Sequence, residues 1–264
     1  NQNREDIVVV IDDLSTGRIE NIRHLEKVRR FHFVQRSVLD KDILESYVKG
    51  ANGIFHFAAS VGVKKIIDDP IKTIETNIFG THAVLEAASK YNVKVLLAST
   101  SEVYGKNENV PFIEEDDIVL GNTKKYRWSY ACSKAIDEFL ALAYFKERGL
   151  PVVILRYFNV VGPRQTGQYG MVVPRFVSKA LKNEPLIVYG DGNQSRCFLH
   201  VDDAVHVTTS LMENDRAIGQ VINVGSLEEI TIKDLAEKVI DLSKSQSRVN
   251  FVSYEEATKK VLKI

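Results

Sequence analysis

The sequence predicts an α/β protein built on a doubly wound parallel sheet, followed by a smaller α/β lobe. Three observations predict it. Short apolar runs rich in branched residues are bounded by turn residues, as in strands buried on both faces. Between them lie long stretches of helical period. The two kinds of segment alternate along a chain of 264 residues, the pattern of a parallel sheet covered on both sides.

In chain order, Ile7–Ile11 reads as a strand ending in Asp12-Asp13, with Leu14-Ser15-Thr16-Gly17 as the turn beyond it. Gly53–Phe57, Val93–Ala98 and Val152–Arg156 read as further buried strands. Ile71–Tyr91 and Ser129–Arg148 read as helices, the second stopped by Gly149 with Pro151 after it. After about Gly162 the elements shorten and polar turns such as Gly190-Asp191-Gly192-Asn193 interrupt them. We therefore expect a first domain over 1–161 and a lobe over 162–264 that sends some segments back to the first. Such a lobe would cover the carboxyl edge of the sheet, where ligands bind in this architecture.

Composition narrows the function. With 35 basic and 35 acidic residues the formal net charge is zero, so no electrostatic footprint points to nucleic acid. Lys124-Lys125 reads as a solvated loop. The two cysteines, Cys132 and Cys197, form neither a disulfide framework nor a metal-ligand spacing; a reducing cytoplasm is the expected compartment. No apolar run approaches the ~20 residues of a membrane span, and Asn1-Gln2-Asn3-Arg4-Glu5-Asp6 is neither a signal nor a transit peptide.

The chemistry concentrates in Ser129-Tyr130-Ala131-Cys132-Ser133-Lys134. Residues four apart on a helix share a face, so Tyr130 and Lys134 can meet one substrate. A free phenol ionises near pH ~10 and is a poor base at neutrality, but a nearby ammonium favours the phenolate. Upstream lies Ala98-Ser99-Thr100-Ser101-Glu102-Val103-Tyr104-Gly105, and downstream Leu155-Arg156-Tyr157-Phe158-Asn159. At these spacings the set resembles the extended short-chain dehydrogenase/reductases that modify nucleotide sugars, and the resemblance runs over essentially the whole chain.

That resemblance implies a Rossmann-type fold, tightly bound NAD and transient oxidation of a hexose at C4. A dinucleotide-binding fold opens with a strand, a Gly-x-x-Gly-x-x-Gly-type turn and a helix whose N-terminus holds the pyrophosphate. This sequence contains no such segment and starts just before what matches the second strand. The first strand is central in the usual order, so its absence leaves a hole in the sheet. Roughly two dozen residues of the family pattern, the length of a βα unit, are expected ahead of it. An arginine-containing stretch for the diphosphate is likewise not found where Tyr254-Glu255-Glu256-Ala257 runs into Thr258-Lys259-Lys260.

Residue by residue, Asp12 sits where a strand-ending carboxylate accepts bonds from the adenosine ribose, favouring NAD over NADP; its plainer reading is a turn aspartate. Asp13, Leu14, Ser15, Ser99 and Tyr157 join the expected cofactor set. Phe57, Ala58 and Ala59, after His56, match a stretch whose backbone passes along the cofactor, and His56 itself reads as packed or hydrogen-bonded. Asn77 matches a position that steadies the loop beside the active site, although a helical Asn could also be satisfied locally. Thr100, Tyr130 and Lys134 match the catalytic triad: Thr100 holds the sugar hydroxyl, Tyr130 takes its proton, and Lys134 bonds the nicotinamide ribose and depresses the Tyr130 pKa. For the substrate, Asn159 and Arg196 match diphosphate contacts, Arg196 because a guanidinium fork binds phosphate oxygens in pairs. Gly170-Met171-Val172-Val173 matches the wall of the sugar-nucleotide pocket, and Tyr189 the strand that brackets the uracil. His200-Val201-Asp202-Asp203 matches a helix start with its acids near the N-terminus, and no metal is expected.

Glu102 discriminates between reactions. Simple 4-epimerases of the family carry a small or hydroxyl residue there, 4,6-dehydratases an Asp-Glu pair, and UDP-glucuronate decarboxylases Ser-Glu, which Ser101-Glu102 matches. The segment Arg127-Trp128-Ser129-Tyr130 departs from the usual decarboxylase wording. The leading expectation is a UDP-sugar 4-epimerase, with a UDP-glucuronate decarboxylase as alternative and a non-catalytic NAD- or sugar-nucleotide-binding regulator as a reading of another class. The family's equivalents of the two long helices form a four-helix dimer interface, so a homodimer is expected.

Overall fold

The structure, a computed structural model, describes residues 6–62, 66, 68–167, 171–253 and 255. Gly170, Tyr254, Glu256 and Ala257, named above, lie outside them. The described chain divides into two compact units: residues 6–61, 66, 68–156 and 208–223 in the first, and 62, 157–167, 171–207, 224–253 and 255 in the second.

The first unit is an α/β fold with parallel strands. Strands β1 (Val8–Asp12) and β2 (Phe31–Gln35) pair in parallel as a sheet of their own. After helix α1 (Lys41–Val48) come β3 (Gly53–His56), α2 (Pro70–Tyr91), β4 (Lys94–Thr100), α3 (Arg127–Arg148) and β5 (Val152–Tyr157). A four-stranded sheet runs in the order β10 (Val221–Val224), β5, β4, β3, with β3 and β4 parallel. The single doubly wound sheet expected from sequence is thus found in two pieces. β1 pairs with β2 and not with β3, which is where the doubly wound order sets the first strand of the family pattern.

The elements form where the sequence placed them for identifiable reasons. Val95, Leu96, Leu97, Val152, Val153, Ile154 and Leu155 are fully buried, so β4 and β5 show no alternation and are covered on both faces, as parallel strands require. Val84, Leu85 and Ala88 of α2, and Ala141 and Tyr144 of α3, close the core over them. Helix α3 stops at Gly149, whose φ of 68° is left-handed and whose N–H bonds Phe145 O at 3.0 Å. Helix α2 ends on Asn92 in the same conformation.

In the second unit, β6 (Val160–Val161) pairs in parallel with β9 (Leu199–His200), and β7 (Leu186–Tyr189) with β12 (Val249–Val252). The remaining pair, β8 (Ser195–Cys197) with β11 (Glu229–Thr231), is antiparallel. Its core packs Phe176 and Ala180 of α4 (Val172–Ala180) and Ile232, Leu235 and Ala236 of α6 (Ile232–Ser243) on Leu186 and Val188. Helix α5 (Val201–Met212) begins where the His200-Val201-Asp202-Asp203 segment predicted, with Asp202 and Asp203 in its first turn.

Candidate active site

Strand β4 delivers Thr100 to its carboxyl end, and the chain turns at once into a short 3₁₀ turn, Ser101–Tyr104. Thr100 Oγ1 caps that turn by accepting from Glu102 N at 3.2 Å. The turn ends at Gly105, where φ is +64° and a Cβ would lie 2.3 Å from Val119 O, so only glycine fits. Glu102 is left exposed and Thr100 half-buried. Tyr130, half-buried on the first turns of α3, faces both. Burial, then the charges of Glu102 and Asp137, push its phenol up to about 12, against the pull of a hydrogen bond from the Thr100 hydroxyl.

Thr100, Glu102 and Tyr130 are therefore brought together, but Lys134 is not turned to Tyr130. Its Nζ lies 2.8 Å from Asp137 Oδ2, and the two side chains are 3% and 0% exposed. A buried ammonium needs a counter-charge, and Asp137 supplies it one turn along the helix. The expected depression of the Tyr130 pKa by Lys134 is thus not found, because the ammonium is engaged by Asp137.

Behind Tyr130 a buried polar relay fixes the local geometry. Asn77 Oδ1 accepts from Ser60 N at 2.7 Å, and Asn77 Nδ2 donates to Ser133 Oγ at 3.0 Å. The Ser133 hydroxyl in turn donates to Tyr130 O at 2.9 Å. The Asn77 side chain thus bonds the loop after β3 and α3. His56 is buried against the Thr81 hydroxyl at 3.1 Å. Burial, reinforced by the charge of Lys134, holds its imidazole down to about 3, so it stays neutral.

A second network ties the loop after the 3₁₀ turn to the same sheet. Arg156 at the end of β5 grips Glu138 of α3 with Nε to Oε1 at 3.1 Å and Nη2 to Oε2 at 2.8 Å. The Ser99 hydroxyl donates to the same carboxylate, so that side chain is spoken for. Arg156 Nη1 reaches Tyr104 Oη at 2.9 Å and Glu114 O at 3.1 Å. Tyr104 donates to Asn223 Oδ1 at 2.7 Å, and Asn223 N donates to Glu114 Oε1 at 2.7 Å. Asp137, Glu138 and Asn223 were not singled out in the sequence. For the first two the signal was present, an acid three and four residues after Lys134 on one helix.

The expected cofactor residues fall as follows. Asp12 ends β1 with its exposed carboxylate accepting from Leu14 N at 2.6 Å, and Asp13 accepts from Ser15 N at 2.8 Å. Both are Asx turns, and Leu14 takes a left-handed φ of 56° to make the bend. Ala58 and Ala59 are half-buried after β3, beside exposed Phe57. In the second unit lie Tyr157, Asn159, Val172, Val173, Tyr189 and Arg196. Asn159 holds a strained φ of 33° and donates to Cys197 O at 3.0 Å. The Arg175 guanidinium lies 5.2 Å from the Tyr189 ring centre, a cation–π contact. Arg196 is exposed and bonds Ser195 O at 2.7 Å. Among the described residues no cluster of three or more His, Cys, Asp or Glu could hold a metal, and no helix is long and apolar enough to cross a membrane.

The family model described as GDP-mannose 4,6 dehydratase matches residues 2–264. The chain belongs to the extended short-chain dehydrogenase/reductases that act on nucleotide sugars. This reductase-family chain is 43% identical over 249 residues to a UDP-N-acetyl-alpha-D-glucosaminuronate decarboxylase of Bacillus cytotoxicus, covering 94% of the chain and 76% of that protein. It is 36% identical to UDP-glucuronic acid decarboxylase 1 of Arabidopsis thaliana, over 94% of the chain and 55% of the relative. Among solved structures it resembles the UDP-glucuronic acid 4-epimerase of Bacillus cereus in complex with UDP-glucuronic acid and NAD, with a TM-score of 0.86, 31% identity, and coverage of 96% and 80%. It is thus a nucleotide-sugar-modifying enzyme of the extended short-chain dehydrogenase/reductases, whose relatives bind NAD and UDP-sugars.

Proposed function

We propose that the protein is an NAD-dependent decarboxylase of a UDP-linked hexuronate. The observation that carries this reading is the Ser101-Glu102 pair at the end of β4, with the Glu102 charge acting on Tyr130. The 43% identical relative, a decarboxylase, supports it. It displaces the 4-epimerase as the leading reading.

The residues present fit NAD. An exposed carboxylate ends β1 at Asp12, small alanines follow β3, and α3 holds a buried ammonium with one carboxylate partner at Lys134. Asp12 would take the adenosine ribose and Lys134 the nicotinamide ribose. When bound, NAD supplies the acceptor for hydride from C4 and the donor that returns it. Tyr130 takes the proton of the C4 hydroxyl, which Thr100 holds. The ketone at C4 then lies β to the C6 carboxylate. The C5–C6 bond breaks, carbon dioxide leaves, and its electron pair passes into the carbonyl. Glu102 is the acid–base group available to return a proton to C5. Asn159, Arg196, Val172, Val173 and Tyr189 remain the proposed ligands of the nucleotide.

A second reading, 4-epimerisation of the same uronate, is favoured by the structural likeness to the Bacillus cereus epimerase. The two share the first oxidation and part at the carboxylate. Incubation with NAD and UDP-glucuronate, UDP-N-acetylglucosaminuronate, UDP-glucose or UDP-N-acetylglucosamine, resolved by proton NMR, separates them. A UDP-pentose with carbon dioxide from a uronate is the expected product. A C4 epimer with unchanged carbon count would replace the decarboxylase with the epimerase. Glu102→Gln should lose carbon dioxide release while the reduced-nicotinamide absorbance still rises. The exposed apolar residues of α2 and α3 support a homodimer through these helices.

A further inference from the structure

The Lys134–Asp137 pair is half-satisfied. Asp137 is wholly buried, and its Oδ2 takes the ammonium while Oδ1 has no hydrogen bond. The Thr81 hydroxyl lies beside the same carboxyl, near enough to favour its charge but outside the geometry of a regular bond to Oδ1. Thr81 is itself met by neutral His56, and among the described residues Lys134 is the cation acting on Asp137. Glu138, the next residue, is taken by Arg156. Asp137 therefore has one strong partner, and so does Lys134. Desolvation already raises the carboxyl of Asp137 even with the ammonium in place.

The pair decides which way the ammonium points. Tyr130 is faced by the Thr100 hydroxyl from β4, by Glu102 from the 3₁₀ turn, and by Asp137 from its own helix. Two of these three are carboxylates that oppose the phenolate, and the one nearby cation is drawn off by Asp137. A small apolar residue at 137 would leave Lys134 free to turn toward Tyr130. Asp137 instead holds a buried charge whose desolvation is offset by a single ammonium.

We propose that Asp137 is a positioning residue that parks the Lys134 ammonium away from Tyr130 until the ribose hydroxyls of NAD take it over, so that Tyr130 becomes a competent base only in the cofactor-loaded protein. This rests on the reading of NAD-dependent oxidation through Tyr130. One consequence is chemical and visible without turnover. A carboxylate left in a dry site without its counter-ion takes up a proton. NAD binding should therefore be accompanied by proton uptake at Asp137.

The test is calorimetric titration of NAD into the full chain at neutral pH, in buffers of different ionisation enthalpy. The expected result is uptake approaching one proton per NAD in the wild type and none in Asp137→Asn. In the NAD-free protein, Asp137→Asn should also lower the onset of Tyr130 ionisation by about one pH unit, since it removes an opposing charge and frees a cation. That signal is read as tyrosinate absorbance, with Tyr130→Phe subtracted to separate it from the other nine of the ten tyrosines. NAD binding without proton uptake in the wild type overturns the positioning role alone, and this arm needs no variant to fold. An unchanged Tyr130 onset in a folded Asp137→Asn protein overturns it too. Absence of any NAD binding overturns the NAD reading itself, and the positioning role with it.

Discussion

Tyr130 is set against its own ionisation by the residues around it, and only the Thr100 hydroxyl helps. If it is the base, Tyr130→Phe should lower kcat by about 10²–10⁴ with little change in melting temperature, as loss of a positioned proton acceptor does. His56 makes a separate prediction about pH. Burial holds it from 6.5 down to about 3, so below pH 6.5 the unfolded chain binds a proton that the folded chain refuses. Its stabilising contribution is therefore complete above pH 6.5 and is lost as pH falls toward 3, at about 1.4 kcal/mol per pH unit. Denaturant titrations across that window should show His56→Gln with a shallower acid slope than the wild type. At this scale the approach of Thr100 and Glu102 to Tyr130 was legible from a strand end and one helix start. The expected turn of Lys134 to Tyr130 is not what the structure shows. Asp137, the partner of Lys134, was not singled out: its i+3 spacing was there to read, but its complete burial shows only in the folded chain.

Among the elements, strand and helix bounds were legible to within one or two residues wherever burial is continuous. Val152–Arg156 was expected and Val152–Tyr157 found; Ile71–Tyr91 was expected and Pro70–Tyr91 found. The loop after the 3₁₀ turn was opaque, since polar groups far apart in sequence hold it rather than a periodic pattern. Arg156 binds it through Tyr104 and Glu114 while gripping Glu138. Glu138→Ala leaves a buried guanidinium unpaired and should cost about 3–5 kcal/mol. The double variant Glu138→Met with Arg156→Met should recover most of that loss in chemical denaturation, because no charge is then stranded. Recovery of none would mean that the pair's bonds to Ser99, Tyr104 and Glu114 matter more than its charge.

For the whole molecule, the sequence reading set a boundary near Gly162 with some later segments returning to the first domain; the compact units of the structure change over at Arg156, and 208–223 belongs to the first. The sequence shows where helical periods shorten but not which later segment returns to the earlier sheet, which is β10 beside β5. The first unit also exposes Ile71 and Phe79 on α2 and Phe139 on α3, at 71%, 57% and 66%. These are the residues that the proposed homodimer would cover. Sedimentation should give a dimer, and Phe139→Asp a monomer; a wild-type monomer at all concentrations would end the dimer reading.

The Arg156 grip also bears on how the chain reaches this state. Its bonds join residues 52 and 42 apart in sequence, and the Asn223–Glu114 bond closes 109 residues. Contacts of such separation repay their loop-closure entropy only after the sheet is assembled. The long-range bonds of the grip are therefore expected to close late, on the native side of the folding barrier. Tyr104→Phe, which removes one of these long-range bonds, should then leave the refolding rate nearly untouched and quicken unfolding in stopped-flow denaturant jumps. The grip would thus govern how long the folded chain lasts rather than how fast it forms.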